Sequence, residues 1–235
     1  MGRSLARLAV AGAAVYASPG LAAVLRLRYP GVARSAGGGA AAVALTFDDG
    51  PHPEGTPAVL GELERLRMQA TFYVVSSQAR RWPHVLGEIV AAGHELGLHG
   101  GRHLPHALFP PLVLERELGR ARAEIEALAG VELRTLRAPF GAASLSTLRF
   151  AAQSGMQLVG WSRWGRDWEG WATPESIAHR VAEGATAGDI LLLHDSDAYS
   201  AAGSWRRTAA ALPAIGTLLA ARGLGTTTVG EALVA

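Results

Sequence analysis

The stretch Ala44-Leu45-Thr46-Phe47-Asp48-Asp49-Gly50-Pro51 decides the fold and places the candidate site. An apolar run over residues 41–47 ends in two adjacent carboxylates, and Gly50-Pro51 then turns the chain. Alternating β-forming residues predict a strand, and Gly-Pro predicts a turn. Two like charges at the end of a strand are costly unless a metal neutralises one and an arginine the other. The alternative is a solvated turn, because aspartate is common in turns.

The composition of the whole chain limits which kinds of site are possible. The chain has 235 residues, 49% of them hydrophobic, which predicts one substantial domain. The net charge is +2, lysine is absent and the arginines form no run, so no nucleic-acid surface is expected. Because there is no cysteine, a disulfide or thiolate site is impossible, and any metal must use His, Asp and Glu.

Residues 1–40 differ from the remainder of the chain. Arg3 and Arg7 precede an apolar stretch over residues 8–25, and a Gly37-Gly38-Gly39 linker follows. A basic start before an apolar stretch is typical of a secretory signal or a weak membrane anchor. The alternative is a helix packed on the domain. We therefore expect residues 1–40 to be an apolar segment and linker, residues 41–235 to be the folded domain, and any membrane association to run through residues 8–25.

Strand and helix patterns alternate after the linker. The helices begin at capping or proline residues, including Thr56-Pro57, Pro83, Ser144 and Thr173-Pro174, and Pro213 should kink or split the last long one. The predicted strands are Val43–Phe47, Ala70–Val75, His94–Leu98, Thr135–Arg137, Met156–Trp161, Ile190–Leu193 and Gly225–Val229. This order predicts a single α/β domain, a distorted and incomplete (β/α) barrel of about seven parallel strands. An open dinucleotide-binding sheet is disfavoured, since no Gly-rich fingerprint follows the first strand.

Ionisable residues follow five of the predicted strands, at the point where each strand ends. In (β/α) barrels the carboxyl ends of the strands form one rim that carries the chemistry. The residues concerned are Asp48, Asp49, His99, His103, Arg137, Asp167 and His194. We therefore expect these side chains to converge on one site.

A metal centre is the first chemistry that this pattern predicts. His99 and His103 are four residues apart, and with Asp49 they give three protein ligands and an open position, typical of a catalytic metal site. His94 lies within a predicted strand and His106 lies beyond Pro105, so structural roles are expected for both.

At this point five motifs match a known family. The sequence resembles the polysaccharide deacetylases, also called the NodB-homology family or carbohydrate esterase family 4. The motifs are Thr46-Phe47-Asp48-Asp49-Gly50-Pro51, His99-Gly100-Gly101-Arg102-His103, Arg137-Ala138-Pro139-Phe140-Gly141, Trp161 to Trp168, and Leu191-Leu192-Leu193-His194. The resemblance covers nearly everything after the linker.

The resemblance implies metal-dependent hydrolysis of an N-acetyl, less often O-acetyl, group on a sugar. Asp49, His99 and His103 would hold zinc, with cobalt, nickel, manganese or iron as alternatives. Asp48 would be the general base and Arg137 its ion-pair partner.

The remaining implied roles concern the leaving group and the acetyl group. His194 would protonate the leaving amine, and Asp167 would orient it and raise its pKa. The backbone N–H of Phe140 would stabilise the oxyanion, and Trp168 and Leu192 would line the pocket for the acetyl methyl. The implied substrate is a cell-envelope polysaccharide or lipid-linked glycan, and the implied location is secreted or membrane-anchored at the envelope, with the cytoplasm as the alternative.

Three departures from the family pattern leave alternatives open. Gly100 and Leu104 stand where other residues are common, which bears on the rigidity of the loop between the two histidines. Trp164 stands where an aspartate is frequent, and the segment 195–205 is long enough to cover part of the site. A deformylase or other amidohydrolase and a non-catalytic glycan-binding protein remain the alternative functions.

Overall fold

The computed structural model describes residues 12–18, 31–33, 35 and 41–234. The predicted membrane-associated stretch at residues 8–25 lies largely outside these ranges, with only residues 12–18 described. Across the described ranges, no helix combines the length and the apolar character needed to cross a bilayer.

One sheet of nine strands forms the centre of the molecule. The strands are β1 (Val32–Ala33), β2 (Ala42–Asp48), β3 (Thr71–Val74), β4 (Glu95–Leu98), β5 (Thr135–Leu136), β6 (Gln157–Val159), β7 (Arg163–Trp164), β8 (Ile190–His194) and β9 (Gly225–Thr227). Their order is β1-β6-β5-β4-β3-β2-β8-β7, with β9 also on β2, and all these pairs are parallel. This single-domain, curled half-barrel confirms the predicted fold class.

Helices connect the strands and pack around the sheet. They are α1 (Gly55–Leu66), α2 (Ser76–Arg81), α3 (Pro83–Ala91), α4 (Pro111–Ala129), α5 (Leu145–Gln153), α6 (Pro174–Ala182), α7 (Ser204–Ala220) and α8 (Val229–Val234). Ser144 and Thr173 form capping boxes, as their positions before α5 and α6 predict. The start that the sequence marks with Pro83 is also confirmed, and α4 likewise begins at a proline, Pro111.

Several details differ from the sequence prediction. The two-residue strands β1 and β7 are additional, since elements so short carry no periodic pattern. β1 lies within residues 1–40, which the sequence assigns to an apolar segment and linker. Helix α1 begins at Gly55 without a side-chain cap, because the Thr56 hydroxyl donates to Asp195 instead. Helix α7 continues through Pro213 and is not split.

Strand β2 is the buried axis that positions the site. It pairs with β3 and β8, and every residue from Val43 to Asp48 is buried. The register places Asp48 beside His194 of β8. On the other side, Leu98 of β4 pairs with Leu136 of β5, so that His99 and Arg137 leave their strands next to each other. The ends of these strands therefore meet at one rim.

Candidate active site

Asp48 and Asp49 leave β2 in a tight turn that separates their side chains. Both are 3% exposed. Asp49 has φ 81, a left-handed conformation that aspartate tolerates better than most residues, and the following Gly50-Pro51 bond is cis. The adjacent carboxylates consequently serve two different neighbours, as the sequence argument requires.

Asp49, His99 and His103 form a cluster that fits a metal ion. Their ligand atoms all lie within 4.8 Å of one another. Asp49 Oδ1 is 3.1 Å from His103 Nε2 and 3.5 Å from His99 Nε2, yet it is buried without a hydrogen bond. His99 Nδ1 lies 2.9 Å from the carbonyl oxygen of Arg137, which fixes Nδ1 as the donor and leaves the lone pair on Nε2. A cation would satisfy these converging lone pairs.

The electrostatics of Asp49 agree with that fit. Burial opposes ionisation, but the rings of His103 and His99 and the charge of His194 hold the pKa of the Asp49 carboxyl far below its usual range. These contacts favour the ionised form of Asp49, which is the form that binds a metal.

Asp48 is held by a fully buried arginine. Arg137 Nη1 donates to Asp48 Oδ1 and to Thr46 Oγ1, each at 2.7 Å, and Nη2 donates to the Gly160 carbonyl at 2.8 Å. The guanidinium also lies 4.0 Å from the centroid of the Tyr73 ring. Because Oδ1 is occupied, Oδ2 is the Asp48 oxygen left to act on a ligand.

A histidine–aspartate pair lies beside the two carboxylates. His194 Nδ1 is 3.0 Å from Asp167 Oδ1, and Asp167 Oδ2 accepts from the His194 backbone N–H and from Thr208 Oγ1, each at 2.7 Å. Burial lowers the pKa of His194, but the charge and hydrogen bond of Asp167, with the charges of Asp49 and Asp48, raise it to about 10. His194 is therefore protonated in this arrangement, with Nε2 turned away from Asp167.

These polar groups line one cavity of about 230 Å³, and most of its remaining wall is aromatic. Trp168 meets His194 edge-on at 5.2 Å between ring centroids. The lining residues are Asp48, Asp49, His99, His103, Phe140, Trp161, Trp164, Trp168, Leu192, His194, Tyr199 and Ser200. The residues that the sequence proposes for the metal, the proton transfers and the pocket therefore line the cavity, except Arg137 and Asp167. Arg137 contacts Asp48 and Asp167 contacts His194 on the side away from the cavity.

The loop after β8 covers part of the cavity, as its length predicts. Tyr199 stacks on the His103 ring at 4.3 Å with 14° between the planes, and Phe140 packs on His103 at 4.3 Å. Asp197 fixes the loop by accepting from the Gly203 N–H at 2.7 Å and lying 3.1 Å from His52 Nε2. The sequence places Tyr199 in this covering loop but assigns it no contact, because a tyrosine in a loop carries no spacing signal.

The structure places the other polar candidates away from the cavity. His106 is buried with Nδ1 3.2 Å from Thr147 Oγ1, and burial lowers its pKa to about 3. His94 lies against Phe72. Asp195 is buried under Gly50 and accepts from Thr56, so it does not line the cavity.

Backbone strain concentrates at the same site. Among the described residues, four other than glycine have positive φ, and Asp49, Phe140 and Arg166 are three of them. Asp49 and Phe140 line the cavity, and Arg166 precedes Asp167. Such conformations persist where the surrounding fold imposes them, which is common at functional sites.

Comparison with known proteins shows the family of the chain. The polysaccharide deacetylase profile matches residues 36–159. The chain belongs to the polysaccharide deacetylase family. It is a hydrolase of acetyl groups on sugars, as the five motifs imply.

Two curated relatives have comparable similarity. The peptidoglycan-N-acetylglucosamine deacetylase of Bacillus cereus is 36% identical over 155 residues, covering 65% of this chain and 72% of the relative. The chitooligosaccharide deacetylase of Sinorhizobium fredii is 37% identical over 162 residues, covering 68% of this chain and 74% of the relative.

Solved structures support the same family and fold. A peptidoglycan N-acetylglucosamine deacetylase, solved with 4-naphthalen-1-yl-N-hydroxybenzamide, has a TM-score of 0.81 and 26% identity over 87% of this chain and 93% of that one. A family 4 carbohydrate esterase from Streptomyces lividans, solved with acetate, has a TM-score of 0.72 and 26% identity over 80% of this chain and 92% of that one.

Proposed function

We propose that this polysaccharide deacetylase hydrolyses the acetamide of an N-acetylated amino sugar in a cell-envelope glycan. The observation that carries the proposal is the convergence of three units on one cavity: the Asp49–His99–His103 cluster, the Asp48–Arg137 pair and the His194–Asp167 pair. These supply the cation site, the base and the acid that amide hydrolysis needs.

The proposed metal ligands are Asp49, His99 and His103. One carboxylate and two imidazoles suit zinc, and cobalt, nickel, manganese and iron suit the same donors. When bound, the metal supplies Lewis-acid polarisation of the acetyl carbonyl and lowers the pKa of water. The hydrogen bond from His99 Nδ1 to the Arg137 carbonyl orients the ligand ring.

Asp48 acts as the general base through Oδ2. Its other oxygen accepts from Arg137, which keeps the carboxylate ionised and fixes its orientation. The proton from the attacking water passes to Asp48 Oδ2. Arg137 has no contact with the cavity and is therefore a positioning residue.

His194 acts as the general acid through Nε2. Asp167 holds Nδ1 and keeps the ring protonated before the carbon–nitrogen bond breaks. The Nε2 proton then passes to the leaving sugar amine, which would otherwise depart as an unstable anion.

The remaining groups bind the acetyl unit. The backbone N–H of Phe140 stabilises the developing oxyanion, and Trp168 and Leu192 contact the acetyl methyl. The positive φ of Phe140 supports this role, since a fixed strained turn can aim an N–H at a ligand.

The names of the relatives indicate the substrate class. Peptidoglycan N-acetylglucosamine and chitooligosaccharides share a β-linked N-acetylglucosamine unit, and we propose that unit as the substrate, with O-acetyl sugars as weaker ones. A location facing the cell envelope, reached by export or anchoring through the N-terminal segment, fits that substrate.

Acetate release by the purified protein tests the proposal. N-acetylglucosamine oligomers and peptidoglycan are incubated with protein treated with chelator, and then with zinc or cobalt restored. We expect release that is lost with chelator and recovered with metal. Bound metal without release from either glycan would contradict the proposed substrate and direct the search to formylated or lipid-linked sugars. Neither metal nor release would support a glycan-binding role instead.

A further inference from the structure

An exposed apolar surface lies beside the mouth of the cavity, and its first four residues have no role in the proposed chemistry. Leu108 is 78% exposed, Leu112 63% and Val113 51%, within six consecutive residues. Leu104, in the same segment, is also exposed. Isolated surface leucines are ordinary, but three leucines and a valine exposed within ten residues make this segment a candidate interaction surface.

Two further residues extend this surface from the neighbouring chain segment. The Ala107 N–H donates to the Ala142 carbonyl at 3.2 Å, and His106 lies 3.2 Å from Thr147. These bonds hold the segment before α4 against residues 140–147, at the start of α5, which include exposed Phe140 and Leu145. We define the apolar rim as Leu104, Leu108, Leu112, Val113, Phe140 and Leu145.

The exposed charges around the apolar rim are mainly positive. Arg102 and Arg116 are exposed, and the exposed Arg149 is paired with Glu115. The acids of the same region face partners: Glu115 lies 3.2 Å from Arg149, and Glu117 accepts from the Gly101 N–H at 2.9 Å. An apolar surface with arginines at its border complements an anionic lipid surface.

The N-terminal apolar segment reaches the same place. Tyr16 Oη donates to the Phe109 carbonyl at 2.9 Å, between Leu108 and the start of α4. Val15 is exposed beside it. The described part of that segment and the apolar rim therefore share one face of the molecule.

We propose that the apolar rim docks on the surface of an anionic lipid bilayer, with its leucines at the level of the acyl chains and its arginines among the headgroups. Docking there places Phe140, whose ring lies 4.3 Å from that of His103, at the membrane surface. The cavity then receives sugar units joined to lipid or held close to the bilayer. This binding does not depend on the proposed reaction, so its test is independent of acetate release.

Site-specific fluorescence gives the sharpest test, because the chain contains no cysteine. Leu108→Cys in the full chain is labelled with an environment-sensitive dye and mixed with vesicles of equimolar phosphatidylcholine and phosphatidylglycerol. The matched control is Leu128→Cys, also exposed but near the other end of α4, about 24 Å from Leu112 at 1.5 Å per residue. We expect a blue shift and brighter emission at position 108 and none at position 128.

Vesicle binding by unlabelled variants measures how much individual leucines and arginines contribute to the affinity for the bilayer. Leu108→Ser with Leu112→Ser should weaken binding by roughly tenfold per leucine, and Arg116→Gln by roughly fivefold on anionic vesicles only. Release of acetate from soluble oligomers should be unchanged, since none of these side chains lines the cavity.

Three results would overturn the proposal. The first is an unchanged emission spectrum at position 108 when the vesicles bind the protein. In that case the N-terminal segment, and not the apolar rim, would contact the bilayer. The second is equal shifts at positions 108 and 128. The third is a shift at position 108 that follows protein concentration without lipid, which would assign the apolar rim to contact with a second copy of the chain.

Discussion

The two halves of the active-site wall are built in different ways. The polar half comes from the ends of β2, β4 and β8 and includes Asp48, Asp49, His99 and His194, which are fixed by strand register and buried hydrogen bonds. The aromatic half comes from connecting segments and from the two-residue strand β7, with Trp164 and Trp168 on one side and Tyr199 on the other. Strand ends fix the positions of side-chain atoms as closely as proton transfer requires. Connecting segments instead determine the shape of the cavity entrance and so which substrates can bind.

The difference has an energetic consequence. A polar residue at a strand end acts on the transition state, so that its loss should reduce kcat strongly. An aromatic residue from a connecting segment contacts the bound sugar in ground and transition states alike, so that its loss should mainly raise KM. Mutations in the two halves therefore separate these effects.

The largest effect is expected for Asp48→Asn, which removes the base without changing the shape of the turn. We predict a fall in kcat of roughly 10²–10⁴-fold, because Asn cannot accept the proton. Metal content should remain that of the unmodified protein, since Asp48 is not one of the three proposed ligands. Metal analysis and acetate release on the same sample check both statements. Retained turnover would remove Asp48 from the role of base.

The next effect concerns Asp167, which acts through His194. Asp167→Asn should reduce kcat by about 10²-fold and move the alkaline limb of the kcat profile to lower pH. The sign follows from the pKa of about 10 for His194, which burial lowers and Asp167 raises: the acid is active below its pKa and lost above it. A cation at Asp49 opposes part of this increase, so the limb of the metal-loaded enzyme lies below that value.

The comparison for this prediction is Asp189→Asn, which makes the same charge change at an acid bonded to Ser162 and Thr186 outside the cavity. Its pH profile should match that of the unmodified enzyme. Equal shifts in both variants would indicate a general electrostatic effect and not the pairing of Asp167 with His194.

The polar half was predictable from the sequence, and the aromatic half was predictable only in part. Asp49, His99 and His194 follow apolar strands, and parallel strands bring such ends to one rim, so their convergence follows from the fold class. Trp168 and Leu192 entered through the family resemblance. Tyr199 approaches His103 only because the turns between Ser196 and Gly203 fold the loop back, and no local pattern encodes that path.

A smaller effect is expected for Tyr199, which tests the aromatic half. Tyr199→Ala should raise KM and lower kcat/KM by roughly 2–10-fold, the range expected for loss of one aromatic contact. It should also weaken metal binding, because the ring stacks on the proposed ligand His103. Tyr199→Phe retains the stacking and loses only a 3.3 Å hydrogen bond with Gln78, so it should match the unmodified enzyme. Equal values for both variants and the unmodified enzyme would contradict a role for the loop.

The smallest effect is expected for Asp195, which lies between strand β8 of the polar half and the loop that carries Tyr199 of the aromatic half. Asp195 follows His194 directly, is fully buried, and accepts from Thr56 beneath the turn at Gly50. Its burial raises the pKa of the carboxyl to about 7. A folded-state pKa above the ordinary value means that Asp195 contributes stability fully at pH below that ordinary value, and that this contribution is lost as pH rises through about 7.

Asp195→Asn removes this titration while keeping the side-chain volume. The Tm of the variant relative to the unmodified protein should therefore rise between about pH 5 and about pH 8, by a few degrees, since 1 kcal/mol shifts Tm by about 2–4 °C in a chain of this size. Asp189→Asn is the matched control, because that carboxylate accepts from the Ser162 hydroxyl and the Thr186 N–H, two groups that do not titrate. Calorimetry of both variants across this range measures the difference. A Tm difference that is independent of pH for Asp195→Asn would mean that the buried carboxyl keeps its ordinary pKa. Packing at the junction between β8 and the following loop, and not the protonation of Asp195, would then determine the stability of that junction.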